Sequence, residues 1–204
     1  MTRATLAVYY DYTCRYSYRA LHWLDRVAGA RPTMRIDWRT FSLKEVNRPE
    51  DEPPYLRAGA EPSVSVLALA LAHAARAADF SRYHHTVFEA MHGEERKLGE
   101  EDLLAIAKDA GVTDFDRDRW TAEVGAEHKD AVAQHGVYGT PTLIFDGAGA
   151  YMRLTGFPET DEEALTLLDS LDGVAAGRVN LVEVFVPHEP SPPTIPLGLP
   201  EKPA

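Results

Sequence analysis

A chain of 204 residues is one domain with an elaboration, or two small ones, and can bury a substantial core. The formal net charge of -11, with no basic stripe, argues against a nucleic-acid partner. A single cysteine excludes an intramolecular disulfide framework. No apolar stretch is long enough for a secretory segment or a membrane span, so the expectation is a cytoplasmic protein of a reducing compartment, with no membrane partner.

In chain order, Leu6-Ala7-Val8-Tyr9-Tyr10 reads as a buried strand. A helical pattern follows, with Ala20, Leu21, Leu24, Val27 and Ala28 on one face and a stop at Gly29 and Pro32. Met34 to Arg39 alternates apolar and polar, a half-buried strand, so the first forty residues predict a right-handed βαβ unit. Lys44 to Glu61 is charged and contains proline; it reads as a solvated loop. From Pro62 to about Gln134 the pattern is helical throughout. Ser63 is placed to cap a first helix. A second carries Tyr83, Val87, Phe88 and Met91 and ends near Gly93. A third runs from about Glu100 to Gly111, and a fourth starts near Thr113 or Asp114 with more helix after it. Packed together, these form a small bundle. The histidines here (His73, His84, His85, His92, His128, His135) lack the spacing of a helical zinc site, so they read as surface or half-buried groups and no metal is expected.

Strand character returns at Pro141 to Phe145. Asp146-Gly147-Ala148-Gly149 reads as a turn, and Tyr151 to Leu154 as the second arm of a hairpin. Thr160-Asp161-Glu162-Glu163 is a capping box opening a helix that Gly173 should close. Val179 to Val186 reads as an extra strand or apolar arm, and the tail from Pro187 is rich in proline.

The stretch on which the chemistry turns is Asp11-Tyr12-Thr13-Cys14-Arg15-Tyr16-Ser17-Tyr18. It puts the one cysteine where a strand gives way to a helix. Unpaired amides and the positive end of the macrodipole favour a thiolate there, and the thiolate is the nucleophile. The plainer reading is a small buried hydrophobe, the usual fate of a free cysteine. Arg15 adds a neighbouring cation, unless it simply points into solvent. Ser17 is placed to hydrogen-bond the sulfur, or merely to complete the first helical turn.

The loop Gly136-Val137-Tyr138-Gly139-Thr140-Pro141-Thr142 resembles the G-V-x-G-x-P loop of the DsbA-like thioredoxin superfamily, and Ile36 to Leu43 resembles its second-strand segment. The opening motif resembles two branches of that group. One is the FrnE-like thiol oxidoreductases, with Cys-Pro-x-Cys-Tyr. The other comprises the kappa-class glutathione transferases and 2-hydroxychromene-2-carboxylate isomerases, with Ser-Pro-Tyr-Ser. The resemblance implies an α/β, thioredoxin-like fold with a helical domain inserted between its βαβ and ββα halves. Residues 1–43 and 136–174 would form the thioredoxin-like domain, 62–135 the insertion, and 175–204 a C-terminal strand and tail.

It also implies a cis Pro141 facing Cys14, with Thr140, Pro141, Tyr16 and Tyr138 along the substrate. The chain departs from the pattern in two places: Arg15 replaces the common proline, and Ser17 replaces the second cysteine. Without that resolving thiol the expected activity is monothiol disulfide exchange through Cys14, tuned by Arg15 and Ser17, with no tightly bound cofactor. Glutathione or another low-molecular-weight thiol is the expected co-substrate, and a small or protein disulfide the substrate. The alternatives are a glutathione-dependent isomerase or transferase, and a non-catalytic thioredoxin-fold binding protein. An edge strand exchanged through Val179–Val186 would make a homodimer.

Overall fold

The computed structural model describes residues 4–60 and 63–176; the expected strand at Val179–Val186 and the proline-rich tail lie outside them. Strand β1 (Thr5–Tyr10) leads into helix α1 (Arg15–Ala30) and then into β2 (Arg35–Thr40). β1 and β2 pair in parallel, Thr5 opposite Arg35 through Tyr10 opposite Thr40. A one-turn helix α2 (Leu43–Val46) follows, and then α3 (Val64–Ala75), α4 (Phe80–Phe88), a π-helical segment (Glu89–Gly93), α5 (Glu100–Asp109) and α6 (Arg117–His135). The chain returns to the sheet as β3 (Thr142–Phe145) and β4 (Ala148–Tyr151), then α7 (Asp161–Ala176). β3 pairs antiparallel with both β1 and β4, so the order is β2-β1-β3-β4. This is the thioredoxin-like arrangement, with helices between its βαβ and ββα halves.

Several boundaries differ from the sequence reading, each for a local reason. β4 begins at Ala148, so the turn shortens to Asp146 (φ 48) and Gly147 (φ 87). Two consecutive positive-φ residues make the primed turn that matches strand twist. α1 runs past Gly29 to Ala30. α7 runs past Gly173 to Ala176. An exposed helical glycine costs only about 1 kcal/mol, too little to end a packed helix. α6 starts at Arg117 because the Asp116 carboxylate accepts the Arg119 amide at 3.0 Å; it ends at Gly136, in the left-handed region at φ 61. Ser63 stands at the start of α3, but its hydroxyl bonds Ser65 instead of a helix amide. The capping box holds: the Glu163 amide donates to Thr160 Oγ1 (3.1 Å), and the Thr160 amide to Glu163 Oε2 (3.3 Å).

The segment read as a solvated loop is anchored. Glu45 accepts the Tyr55 amide at 2.7 Å, and Leu56 is buried against α6. α3 is apolar nearly all round, and its leucines pack with Tyr83, Phe88 and Val124 and with Tyr10 and Tyr12 at the end of β1. A second core lies between sheet and helices, with Leu6, Val8, Trp23, Leu24, Phe145 and Leu168. β1 therefore stands between two cores, and its last residues carry the chain to the start of α1 in a fixed place. No helix among the described residues is long and apolar enough to cross a membrane.

Candidate active site

Cys14 is the N-cap of α1. Its carbonyl accepts the Ser17 and Tyr18 amides (3.0 and 3.2 Å), and its own amide donates to the Asp11 carbonyl at 3.1 Å. Its side chain caps nothing. The thiol instead points across to the β3 loop and donates to the Thr140 carbonyl at 3.2 Å. The Thr140–Pro141 peptide there is cis. Cys14 is buried, with 8 % of the residue exposed.

Two hydroxyls at this junction are buried and have no hydrogen-bond partner among the described residues: Ser17 Oγ and Thr140 Oγ1. A buried unpaired hydroxyl costs about 1–3 kcal/mol. Two of them lie here, one on each of the loops that meet at Cys14.

Arg15 is exposed on the first turn of α1. It is close enough to His92 to act on it: burial pushes the His92 imidazole down and Arg15 adds to that, while a 2.7 Å bond to the Tyr12 carbonyl opposes both. Tyr16 is half-buried, flanked by Arg19 and Arg153, whose guanidinium carbons lie 5.8 and 5.6 Å from its ring centre. Tyr138 is largely exposed and meets the Tyr151 ring at 5.0 Å. The structure thus brings Cys14, Ser17, Thr140 and Pro141 together, places Tyr16 and Tyr138 on the rim, and leaves Arg15 in solvent.

Sequence reading missed the residues that hold this loop. Asp11 is fully buried. Its Oδ1 accepts the Thr13 amide and hydroxyl (2.8 and 2.7 Å), and its Oδ2 accepts the Leu43 amide (2.7 Å). Burial pushes its carboxyl above the usual range against those three bonds. Asp11 ties the Cys14 loop to the end of β2. Its position three residues before the cysteine was visible, but its partner Leu43 lies far along the chain.

The histidines that the sequence reads as surface or half-buried also differ. His73, His84 and His128 are buried. His73 joins Thr40 and Arg76 around the Glu127 carboxylate (3.2 Å to His73 Nε2, 3.1 Å to Arg76). His84 bonds the Tyr12 hydroxyl at 3.0 Å. Helical spacing alone could not show which side of the inserted helices faces the sheet.

A thiol at the first turn of α1, facing a loop with a cis proline across the end of a central strand, defines a thioredoxin-fold protein. The DSBA-like thioredoxin domain matches residues 5–166, and the chain belongs to that family. An uncharacterised protein of Mycobacterium tuberculosis is 25% identical over 195 residues, covering 92% of this chain and 84% of that one. A thioredoxin-like oxidoreductase from Silicibacter pomeroyi is 23% identical, with TM-score 0.55, over 86% of this chain and 87% of its own. A 2-hydroxychromene-2-carboxylate isomerase is 14% identical, also with TM-score 0.55, over 85% and 97%. The cytosolic disulfide reductase DsbM from Pseudomonas aeruginosa, with GSH, is 18% identical, with TM-score 0.54, over 82% and 98%. At these identities the structural likeness speaks for the fold.

Proposed function

We propose that the protein is a thiol–disulfide oxidoreductase working by monothiol exchange through Cys14. The observation that carries this is the Cys14 Sγ contact with Thr140 on the facing loop, with Ser17 and not a second cysteine one turn along α1. Cys14 loses its proton to solvent and attacks one sulfur of a substrate disulfide. A new Sγ–S bond forms, the old S–S bond breaks, and the departing thiolate keeps the electron pair and takes up a solvent proton. A low-molecular-weight thiol such as glutathione, as thiolate, then attacks the distal sulfur of the mixed disulfide. This releases Cys14 and a new disulfide. A compartment rich in small thiols, as the cytoplasm is, suits a protein that cannot resolve its own intermediate. Ser17 Oγ, which has no partner among the described residues, is the hydroxyl that would donate to the sulfur during exchange.

A second reading has one observation in its favour. The unpaired hydroxyls of Ser17 and Thr140 suit a bound thiol whose sulfur is held without a covalent bond, as a glutathione-dependent isomerase or transferase would require. Intact-mass measurement after incubation with oxidised glutathione separates the two. Exchange chemistry gives one glutathionyl adduct, reversed by added thiol and absent in Cys14→Ala. Saturable binding without an adduct would overturn the redox reading in favour of the second.

A further inference from the structure

Beyond its first turn, α1 forms the floor of a groove. Tyr18, His22 and Arg26 follow one another at four-residue spacing and so share one face of the helix. The facing wall is the loop between β4 and α7, with Phe157 and Pro158. That loop is fastened to α1 on both sides of Phe157. The Arg19 guanidinium donates to the Leu154 carbonyl at 2.8 Å, and Arg26 pairs with Asp161 at 2.9 Å. Phe157 is nevertheless 51 % exposed, a large ring on a held loop. It borders a cavity of about 560 Å³ that Tyr18, His22, Arg26, Pro158 and Asp161 also line. That is the size of a small-molecule site.

Three rings meet in this cavity, each standing nearly at right angles to the other two. Tyr18 and His22 cross at 90° with centroids 4.6 Å apart, Tyr18 and Phe157 at 87° and 6.5 Å, and His22 and Phe157 at 89° and 5.5 Å. Such planes are the walls of a box corner, and an aromatic face carries the negative part of the ring quadrupole. The inserted helices add a carboxylate to the same corner. Glu89 Oε2 accepts the Tyr18 hydroxyl at 3.1 Å. Glu89 Oε1 lies 3.0 Å from His22 Nε2, which is buried and has no hydrogen-bond partner among the described residues. Burial and Glu89 push the Tyr18 hydroxyl up, so it stays a donor and its ring stays neutral. Glu89 opens the π-helical segment, a kind of turn frequent at functional sites. Gly93 closes that segment; an added Cβ there would collide with Glu89 Oε2 and come within 3.0 Å of the Tyr18 hydroxyl. The guanidinium on this cavity, Arg26, is held by Asp161. Glu89 therefore meets a phenol and an imidazole, and no lysine or arginine at ion-pair distance among the described residues.

We propose that this corner binds a small molecule carrying an alkylated ammonium group, with the cation against the Tyr18, His22 and Phe157 rings and its charge answered by Glu89. The site is separate from exchange at Cys14 and does not depend on it. A net charge of -11 draws cations to the surface at large; the rings give a place where a bulky, weakly hydrated one is preferred. A neutral group of the same shape gains the contact without the attraction.

The test titrates choline and its uncharged isostere 3,3-dimethylbutanol into the intact protein. It is run at a pH of about 8.5, where an ordinary imidazole, at about 6.5, carries no charge. The N-methyl proton signal of choline should move upfield and saturate, as protons over ring faces do. Choline should bind about tenfold more tightly than the isostere, the scale of a partly desolvated cation–π contact. Phe157→Ala, at an exposed position, should abolish the saturable shift. Glu89→Gln should bring the two ligands to nearly equal affinity. Val132→Ala, exposed on α6, should change neither. Absence of a saturable shift up to about 0.1 M choline, where even millimolar binding is complete, would overturn the proposal. Equal binding of choline and the isostere by the unaltered protein, or choline binding that survives Phe157→Ala, would overturn it as well.

Discussion

At the scale of single residues, the site is defined by what stands one turn from Cys14. The Ser17 amide donates to the Cys14 carbonyl at 3.0 Å, and the Ser17 side chain is buried beside the same junction. A cysteine there would sit at the first and fourth positions of one helical turn, where side chains are neighbours. Ser17→Cys should therefore convert a monothiol into a dithiol centre. After mild oxidation the variant should lose two hydrogens in mass and both titratable thiols, and it should no longer accumulate a glutathionyl adduct. Retention of two free thiols would show that the side chains diverge. Asp11 makes the complementary point: a residue with no place in the chemistry fixes the loop on which the chemistry depends, through three hydrogen bonds to Thr13 and Leu43.

At the scale of elements, β1, α1, the hairpin and the capping box at Thr160 were legible in the sequence because their signals are local: an apolar run, a helical stripe, turn residues and a cap. The junction of Cys14 with the Pro141 loop was legible only through family resemblance, since 126 residues separate Cys14 from Thr140. Least legible was how the inserted helices meet the sheet. The anchoring of residues 44–61 rests on one such contact. Gly125, within α6, lies against the Leu56 backbone, and an added Cβ would come within 2.6 Å of the Leu56 carbonyl oxygen. Backbone cannot swing aside as a flexible side chain can. Gly125→Ala should destabilise the protein by about 1–3 kcal/mol, the cost of overpacking, despite alanine's better helix propensity. Thermal unfolding would measure it, and an unchanged or raised Tm would mean that the Leu56 segment yields freely.

At the scale of the whole molecule, the seam between sheet and inserted helices is charged and buried, which sets how folding responds to acid. Burial pushes the Glu127 carboxyl up, but the His73 hydrogen bond, the Arg76 charge and the Thr40 donors outweigh it and hold it at about 2, below its ordinary 4.5. A depressed carboxyl contributes stability that is present above about 4.5 and lost as the pH falls toward 2, roughly 3 kcal/mol in all. His84 acts at higher pH. Burial, with the charges of His85 and Arg76, holds it well below its ordinary 6.5, while the unfolded chain takes up a proton there. Its contribution is therefore lost as the pH drops below about 6.5, before Glu127 titrates. His92 and His128, also pushed down by burial, act in the same sense. Asp11 acts in the opposite one, because burial raises its carboxyl and folding there resists deprotonation. Denaturant unfolding measured from pH 7 downward should thus show stability falling in two stages, the first below about 6.5 and the second below about 4.5. His84→Phe should flatten the first stage by close to one proton, about 1.4 kcal/mol per pH unit, whatever it does to stability at neutral pH. Glu127→Gln should flatten the second and leave the first. An unaltered slope below 6.5 in His84→Phe would mean that His84 is protonated in the folded protein, and that the seam around Tyr12, just ahead of the Cys14 loop, is open to water.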